Sequence, residues 1–236
     1  MEDILHMDIS AGIVLFNPDI KRLKENIDAV IVQCTHVYLV DNGSKNISEV
    51  LEMLNGFNSS QFSVILNLEN QGIAKALNQL TIAAQKDGYE WILTLDQDSV
   101  SPSNIIDEFE NYTAYQNVGM LCPVIYDRNK GEEIKAKEGC TEIDECITSG
   151  SLLNIEAWNN IGGFDENMFI DGVDFDICYR LRQSGYKILC IQSVILLHEL
   201  GRIEYHRFLF WRVLVKNHSA FRKYYIARNI IYTAKK

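Results

Sequence analysis

Trp91-Ile-Leu-Thr-Leu-Asp-Gln-Asp98 is an apolar, strand-like run that breaks off in two carboxylates one residue apart. Alternate residues of a strand share a side, so Asp96 and Asp98 can face one ligand if the extended backbone continues past Leu95. Two carboxylates suit a divalent cation that bridges phosphate oxygens, because Mg2+ and Mn2+ prefer oxygen donors and take only one or two from protein. The plainer reading of the same letters is a solvated Asp-x-Asp turn ahead of a helix beginning near Pro102.

Toward the N-terminus the chain alternates apolar runs with amphipathic segments: Ile9 to Phe16 then Lys21 to Gln33, His36 to Val40 then Ile47 to Phe57, Phe62 to Leu66 then Ile73 to Gln85. Trp91 to Leu95 is thus a fourth strand. This alternation predicts βαβ units, hence an α/β fold with a mostly parallel sheet covered by helices. Ligands of such sheets bind beyond the carboxyl ends of the strands. Those ends carry Asn17, Asp41-Asn-Gly-Ser44, Glu69-Asn-Gln-Gly72 and the Asp pair, which should line one edge.

With 236 residues and 47% hydrophobic content the chain can bury a sizeable core, and no apolar run reaches the roughly 18–20 residues that cross a bilayer. A basic region followed by an apolar stretch is missing from the N-terminus, so no secretory signal is expected, and the expected location is cytoplasmic, peripheral at the inner face of the cell membrane. The six cysteines (Cys34, Cys122, Cys140, Cys146, Cys178, Cys190) form no Cys-x-x-Cys pair and read as reduced thiols, not zinc ligands.

The net charge of −10 is unevenly spread. From Tyr205 onward there are eight basic and no acidic residues, so the first 204 positions hold 14 basic against 32 acidic groups. Tyr205, Phe208, Phe210, Trp211, Phe221, Tyr224, Tyr225 and Tyr232 are interleaved with those cations. Residues 1–204 are expected to form the main domain, with halves at about 1–100 and 101–204, and 205–236 a basic aromatic helical tail of a chain that continues further. Such a helix suits an anionic membrane surface, docking onto the body, or nucleic acid; membrane is the partner expected here and nucleic acid is not.

A second constellation follows the Asp pair: Thr148-Ser-Gly-Ser151, Gly162-Gly-Phe-Asp-Glu166 and Phe169-Ile-Asp-Gly-Val-Asp-Phe-Asp176. Small residues at Gly150 and Ser151 let a ligand approach the backbone. Asp174 falls in the first turn of a helix with Ile177, Cys178 and Leu181 on its apolar face, where the helix dipole favours a carboxylate. Spacing alone does not choose a general base among Asp171, Asp174 and Asp176.

Taken in order, the strand end at Phe16-Asn17, Val40-Asp-Asn-Gly-Ser44, Asn70-Gln-Gly-Ile-Ala-Lys-Ala-Leu-Asn78, Leu95-Asp-Gln-Asp-Ser99, Ser149-Gly-Ser151, Gly162-Gly-Phe-Asp-Glu166, Phe169 to Asp176, Leu197-His-Glu-Leu-Gly201 and Arg222 to Asn229 resemble family 2 glycosyltransferases, and most closely bacterial rhamnosyltransferases. The resemblance implies a GT-A fold (Rossmann-like) over roughly residues 9 to 229. It places Phe16, Asn17, Asp41, Asn70, Gly72, Lys75, Asp96 and Asp98 at a nucleotide-sugar donor, with Asp41 on the pyrimidine. It implies Mg2+ or Mn2+ on Asp98, with His198 as a further candidate ligand, and an acceptor near Gly150, Ser151, Asp171 and Asp174. The base role falls on Asp174, although many members carry Glu-Asp where this chain has Val173-Asp174.

The implied reaction is inverting, metal-dependent sugar transfer from a dTDP- or UDP-sugar, dTDP-rhamnose foremost, to a saccharide acceptor carried on lipid at the inner membrane face, in cell-surface polysaccharide synthesis such as that of O-antigen. Two rivals come from other classes. A haloacid-dehalogenase-type phosphatase also places Asp-x-Asp-Ser-Val after an apolar strand, as Asp96 to Val100 does here, but after its first strand instead of its fourth. A non-catalytic nucleotide-sugar-binding or scaffold module would lack a base or a cation ligand.

Overall fold

The computed structural model describes residues 8–127, 136–198, 203–208, 211–216 and 219–235. Strands β1 (Ile9–Leu15), β2 (His36–Asp41), β3 (Phe62–Leu66) and β4 (Trp91–Asp96) are joined by helices α1 (Ile20–Val30), α2 (Ile47–Leu54) and α3 (Ile73–Lys86), each within a few residues of the expected segments. Then come α4 (Ile105–Thr113), β5 (Val118–Asp127), β6 (Cys140–Glu142), β7 (Ser151–Asn154), α5 (Ile155–Asn160), α6 (Val173–Gln183) and β8 (Lys187–His198). One sheet of eight strands runs β3-β2-β1-β4-β7-β5-β8-β6, with β1 to β4 parallel and β7 antiparallel to both neighbours.

Two hydrophobic cores explain why these strands read as unbroken apolar runs. Leu23 and Ile27 of α1, Val50 of α2 and Phe109 of α4 pack with Ile13, Leu39 and Leu93 on one face. Leu77 and Leu80 of α3, Trp158 of α5 and Ile177 and Leu181 of α6 pack with Tyr38, Val40 and Ile92 on the other. The order reverses at β1, because β2 and β3 extend to one side and β4 lies on the other. Leu15 pairs with Asp41 and Val14 with Asp96, so the polar residues ending β2 and β4 flank the end of β1 at nearly equal height. A crevice at this reversal is where open α/β sheets bind ligands.

The expected tail divides. Ile203–Phe208 (β9) and Trp211–Lys216 (β10) form an antiparallel pair, and helix begins only at α7, Ala220–Thr233. Composition pointed to helix there, whereas the alternation in Trp-Arg-Val-Leu-Val-Lys and its β-branched residues favour strand. Phe210 and residues 199–201 lie outside the described residues. Among the described residues no helix is long and apolar enough to cross a membrane.

Candidate active site

The end of β1 is held by Gln97, the residue between the two acids. Its side-chain oxygen accepts the Phe16 amide at 2.8 Å while its nitrogen donates to the Phe16 carbonyl at 3.4 Å, so the side chain prolongs the β1–β4 pairing. Asp96 is fixed through its backbone: its amide donates to Ser149 Oγ at 3.0 Å, and its carbonyl accepts Asn26 Nδ2 at 2.7 Å. Asp98 is exposed on the turn that follows. Phe16, 46% exposed, presents its ring at the same edge.

Asp41 is almost wholly buried and accepts the amides of Gly43 and Ser44 at 3.2 and 3.1 Å. A carboxylate has about four acceptor positions, so capacity remains for a ligand N–H. Asn17 takes a left-handed φ of 49°, donates its amide to Ser44 Oγ and accepts the Lys45 amide on Oδ1. Asn17 therefore locks the β1 and β2 ends together. Asn70 Oδ1 is likewise occupied, accepting from Asn42 Nδ2 at 3.0 Å and the Gly72 amide at 2.9 Å.

Asn42, which the sequence reading did not single out, is the hub of this loop. Buried at 3% exposure, it also donates to the Gly72 carbonyl and accepts from the Gln71 amide and Asn67 Nδ2. Asn42→Ala strands the Gln71 amide and is expected to destabilise the fold by about 1–3 kcal/mol. Denaturant unfolding checks the stability loss, and the same variant should bind nucleoside diphosphate more weakly because the loop from Asn67 to Gly72 loses its anchor.

Gly72 precedes α3 with φ +86°, and a Cβ there would come within 2.7 Å of the Phe169 carbonyl oxygen. Glycine lets the Phe169 segment lie directly on the start of α3, where Phe169 O accepts the Ile73 amide at 2.8 Å. Lys75 sits half-buried in the first turn of the same helix.

The Thr148 to Ser151 segment is bound to β4. Thr94 Oγ1 donates to the Thr148 carbonyl at 2.7 Å, the Gly150 amide donates to Thr94 O at 2.7 Å, and Ser149 Oγ lies 2.8 Å from Ser99 Oγ. Gly150 has φ +80°, and a Cβ would meet Leu196 at 2.6 Å. Ser151 follows at the head of β7. It is fully buried and donates its hydroxyl to the Ile147 carbonyl at 2.6 Å, because β7 turns that side chain inward.

Three acids compete for the base role, and their partners differ. Asp176 is buried and ion-paired with Arg180, whose Nε donates to it at 2.7 Å. Asp171 is gripped by Arg222 of α7, with Nε and Nη2 within 2.9–3.0 Å of its oxygens. Asp174, half-buried in the first turn of α6, accepts the Thr148 amide at 2.9 Å. Burial first, and then the charge of Asp171, hold its carboxyl above the ordinary carboxylate value; the Thr148 hydrogen bond opposes the rise. A carboxylate with raised proton affinity is chemically suited to accept a proton from a substrate hydroxyl.

Among the described residues no three or more carboxylate, thiol or imidazole groups are arranged so that they could hold a metal ion by themselves. That donor set still fits Mg2+ or Mn2+, whose shell is largely completed by substrate phosphate and water when protein gives one or two carboxylates. His198 ends β8, and the bridge between Val100 and Leu197 brings its backbone beside the turn after Asp98. Its side chain lies outside the described part.

The sequence profile of glycosyl transferase family 2 matches residues 10–179, which covers every element from β1 into α6. The chain belongs to that family. It is 28% identical to the dTDP-rhamnosyl transferase RfbF of Shigella flexneri over 242 residues, which is 95% of this chain and 79% of that protein. Among solved structures it is similar to GalNAc-T7 with UDP, GalNAc and Mn2+ (TM-score 0.66, 17% identity, 84% of this chain and 44% of that one). It is equally similar to the mannosyltransferase PcManGT of Pyrobaculum calidifontis with GDP-Man and Mn2+ (TM-score 0.66, 16% identity, 84% and 59%). The chain thus spans under three-fifths of those two solved chains, and the likeness to them shows the GT-A fold. Membership of the glycosyltransferase family removes the phosphatase reading of Asp96 and Asp98.

Proposed function

We propose that the protein transfers L-rhamnose from dTDP-β-L-rhamnose to a saccharide hydroxyl with inversion at the anomeric carbon, in cell-surface polysaccharide synthesis such as that of O-antigen. The observation that carries the chemistry is one shared mount: Thr148 holds Asp174 through its amide, and the adjacent Ser149 holds the Asp96 amide through its hydroxyl. The base candidate and the donor turn therefore keep a fixed relation. The choice of donor rests on the likeness to RfbF along 95% of the chain.

In this reading Asp41 accepts the pyrimidine N–H, and Phe16, Asn17, Asn70, Gly72, Lys75 and Asp96 shape the donor pocket. Mg2+ or Mn2+ held by Asp98, with His198 as second candidate ligand, would supply Lewis-acid neutralisation of the leaving diphosphate. Asp174 takes the acceptor hydroxyl's proton as the oxygen attacks, and Gly150 and Asp171 border the acceptor. One base and no protein nucleophile give a single displacement, so a β-linked donor yields an α-linked product. Calorimetric titration of dTDP, UDP and GDP with Mn2+, then with chelator, tests the donor. Metal-dependent preference for dTDP is expected; UDP preference would change the sugar, and no binding to any would overturn the donor site.

We place the acceptor on a lipid carrier at the inner face of the cell membrane. Supporting this are Tyr224, Ile230 and Ile231 of α7, 58–66% exposed, with Lys223 next to Tyr224. Exposed aromatic and aliphatic side chains beside cations are what an interfacial helix presents to anionic lipid. Co-sedimentation with liposomes should rise with anionic lipid and fall with salt, since screening is effective over about 8 Å at physiological ionic strength. Lipid-independent recovery in the supernatant would leave α7 a purely docked helix.

A further inference from the structure

The family match ends at residue 179, yet α7 is fastened to the loop that leads into α6. Asn229, 3% exposed, donates to the carbonyls of Ile170 and Asp171 at 2.9 and 2.6 Å; Arg228 donates to the Asn167 carbonyl at 2.7 Å; and the Tyr232 hydroxyl donates to Asp165 at 2.9 Å. The Phe169 ring stacks on Tyr225 with centroids 5.2 Å apart. On its other side the same loop meets the start of α3 through Phe169 O and Ile73 N. Asp171 is held there in left-handed backbone at φ 64°, followed by Gly172 at φ 82°. A non-glycine residue persists in that conformation where its surroundings over-determine it, and the Arg222 fork with the two Asn229 bonds does so here.

We propose that Arg222 is a positioning residue for transfer: it fixes Asp171 and partly offsets its charge beside Asp174, so that α7 completes the catalytic face from beyond residues 10–179. The proposal rests on the reading of Asp174 as the base. Among the described residues the groups facing Asp174 are Asp171 on the loop before α6, the Thr148 amide from the segment bound to β4, Cys178 one turn along α6, and Arg222 acting from α7 through Asp171. Arg222 is the one cation of this set. Without it the charge of Asp171 is fully uncompensated and penalises ionised Asp174 more strongly.

The test follows the Asp174 carboxyl by 13C NMR in aspartate-labelled protein, its signal assigned by Asp174→Asn, alongside turnover of dTDP-β-L-rhamnose with Mn2+ and water as surrogate acceptor. In Arg222→Gln the titration midpoint is expected at higher pH than in the parent, with turnover down about tenfold or more from misplacement of the loop. Arg222→Lys keeps the charge but not the fork, so it should hold the midpoint near the parent's and recover part of the turnover. Adding Asp171→Asn to Arg222→Gln should bring the midpoint back down. A midpoint in Arg222→Gln equal to the parent's, or one that Asp171→Asn fails to lower, overturns the proposal. If Asp174→Asn itself turns over the donor at the parent's rate, the base reading fails, while the midpoints still report separately on Arg222.

Discussion

Asp174→Asn is expected to lower turnover by about 10²-fold or more while leaving dTDP affinity within about twofold. The amide keeps the size of the carboxylate and can still accept from Thr148 through Oδ1, so the mount that joins it to Ser149 and Asp96 survives. What disappears is the capacity to take a proton. The same change should raise stability near neutral pH. Because folding lifts the Asp174 pKa, the fold favours the protonated form; that contribution is complete below the ordinary carboxylate range and is lost as pH rises through the folded value. At pH 7 the parent lacks it and the neutral Asn does not. Thermal melts should therefore place the variant above the parent at pH 7, each 1 kcal/mol appearing as about 2–4 °C for a chain of this size, with the gap closing as pH falls toward the ordinary carboxylate range. A variant that melts below the parent at pH 7 would show that ionised Asp174 is stabilising, contrary to its burial.

Asp98→Ala is expected to act on binding. Asp98 is exposed, lies beyond the end of β4 and joins neither hydrophobic core, so its loss should leave the melting temperature nearly unchanged. Nucleoside diphosphate binding in Mn2+ should weaken by about tenfold or more, equivalent to about 1.4 kcal/mol or more. The decisive comparison is with chelator. Chelation should weaken the parent to the level of the variant and leave the variant where it is. A variant that still loses affinity on chelation would place the cation elsewhere on the chain.

The four parallel strands and three intervening helices were legible because β-branched apolar runs alternate with amphipathic segments and each strand stops at a polar turn. Ile9–Leu15 and Trp91–Asp96 differ from the expected runs by one residue each. The hairpin of β9 and β10 was not read, because charge and aromatic content in that stretch outweighed its period of two. Ser151 reads as a small residue that lets a ligand approach the backbone, and only its place at the head of β7 shows its side chain facing inward. Asn42, Gln97 and Arg222 escaped for another reason. Their roles depend on partners distant in sequence, such as Asp171, 51 residues from Arg222, and no local period records such a pairing. The choice among three acids had the same origin: spacing treats Asp171, Asp174 and Asp176 alike, and it is Arg222 and Arg180 that set two of them apart.

Inverting transfer from dTDP-β-L-rhamnose with Asp174 as base fixes the anomer of the sugar first released from that donor with Mn2+, and 1H NMR reads that anomer. α-L-Rhamnose is expected to appear before its anomers equilibrate, at a rate that falls with Asp174→Asn and exceeds the rate with UDP-glucose. First appearance of the β-anomer, or faster hydrolysis of UDP-glucose than of dTDP-β-L-rhamnose, would contradict it.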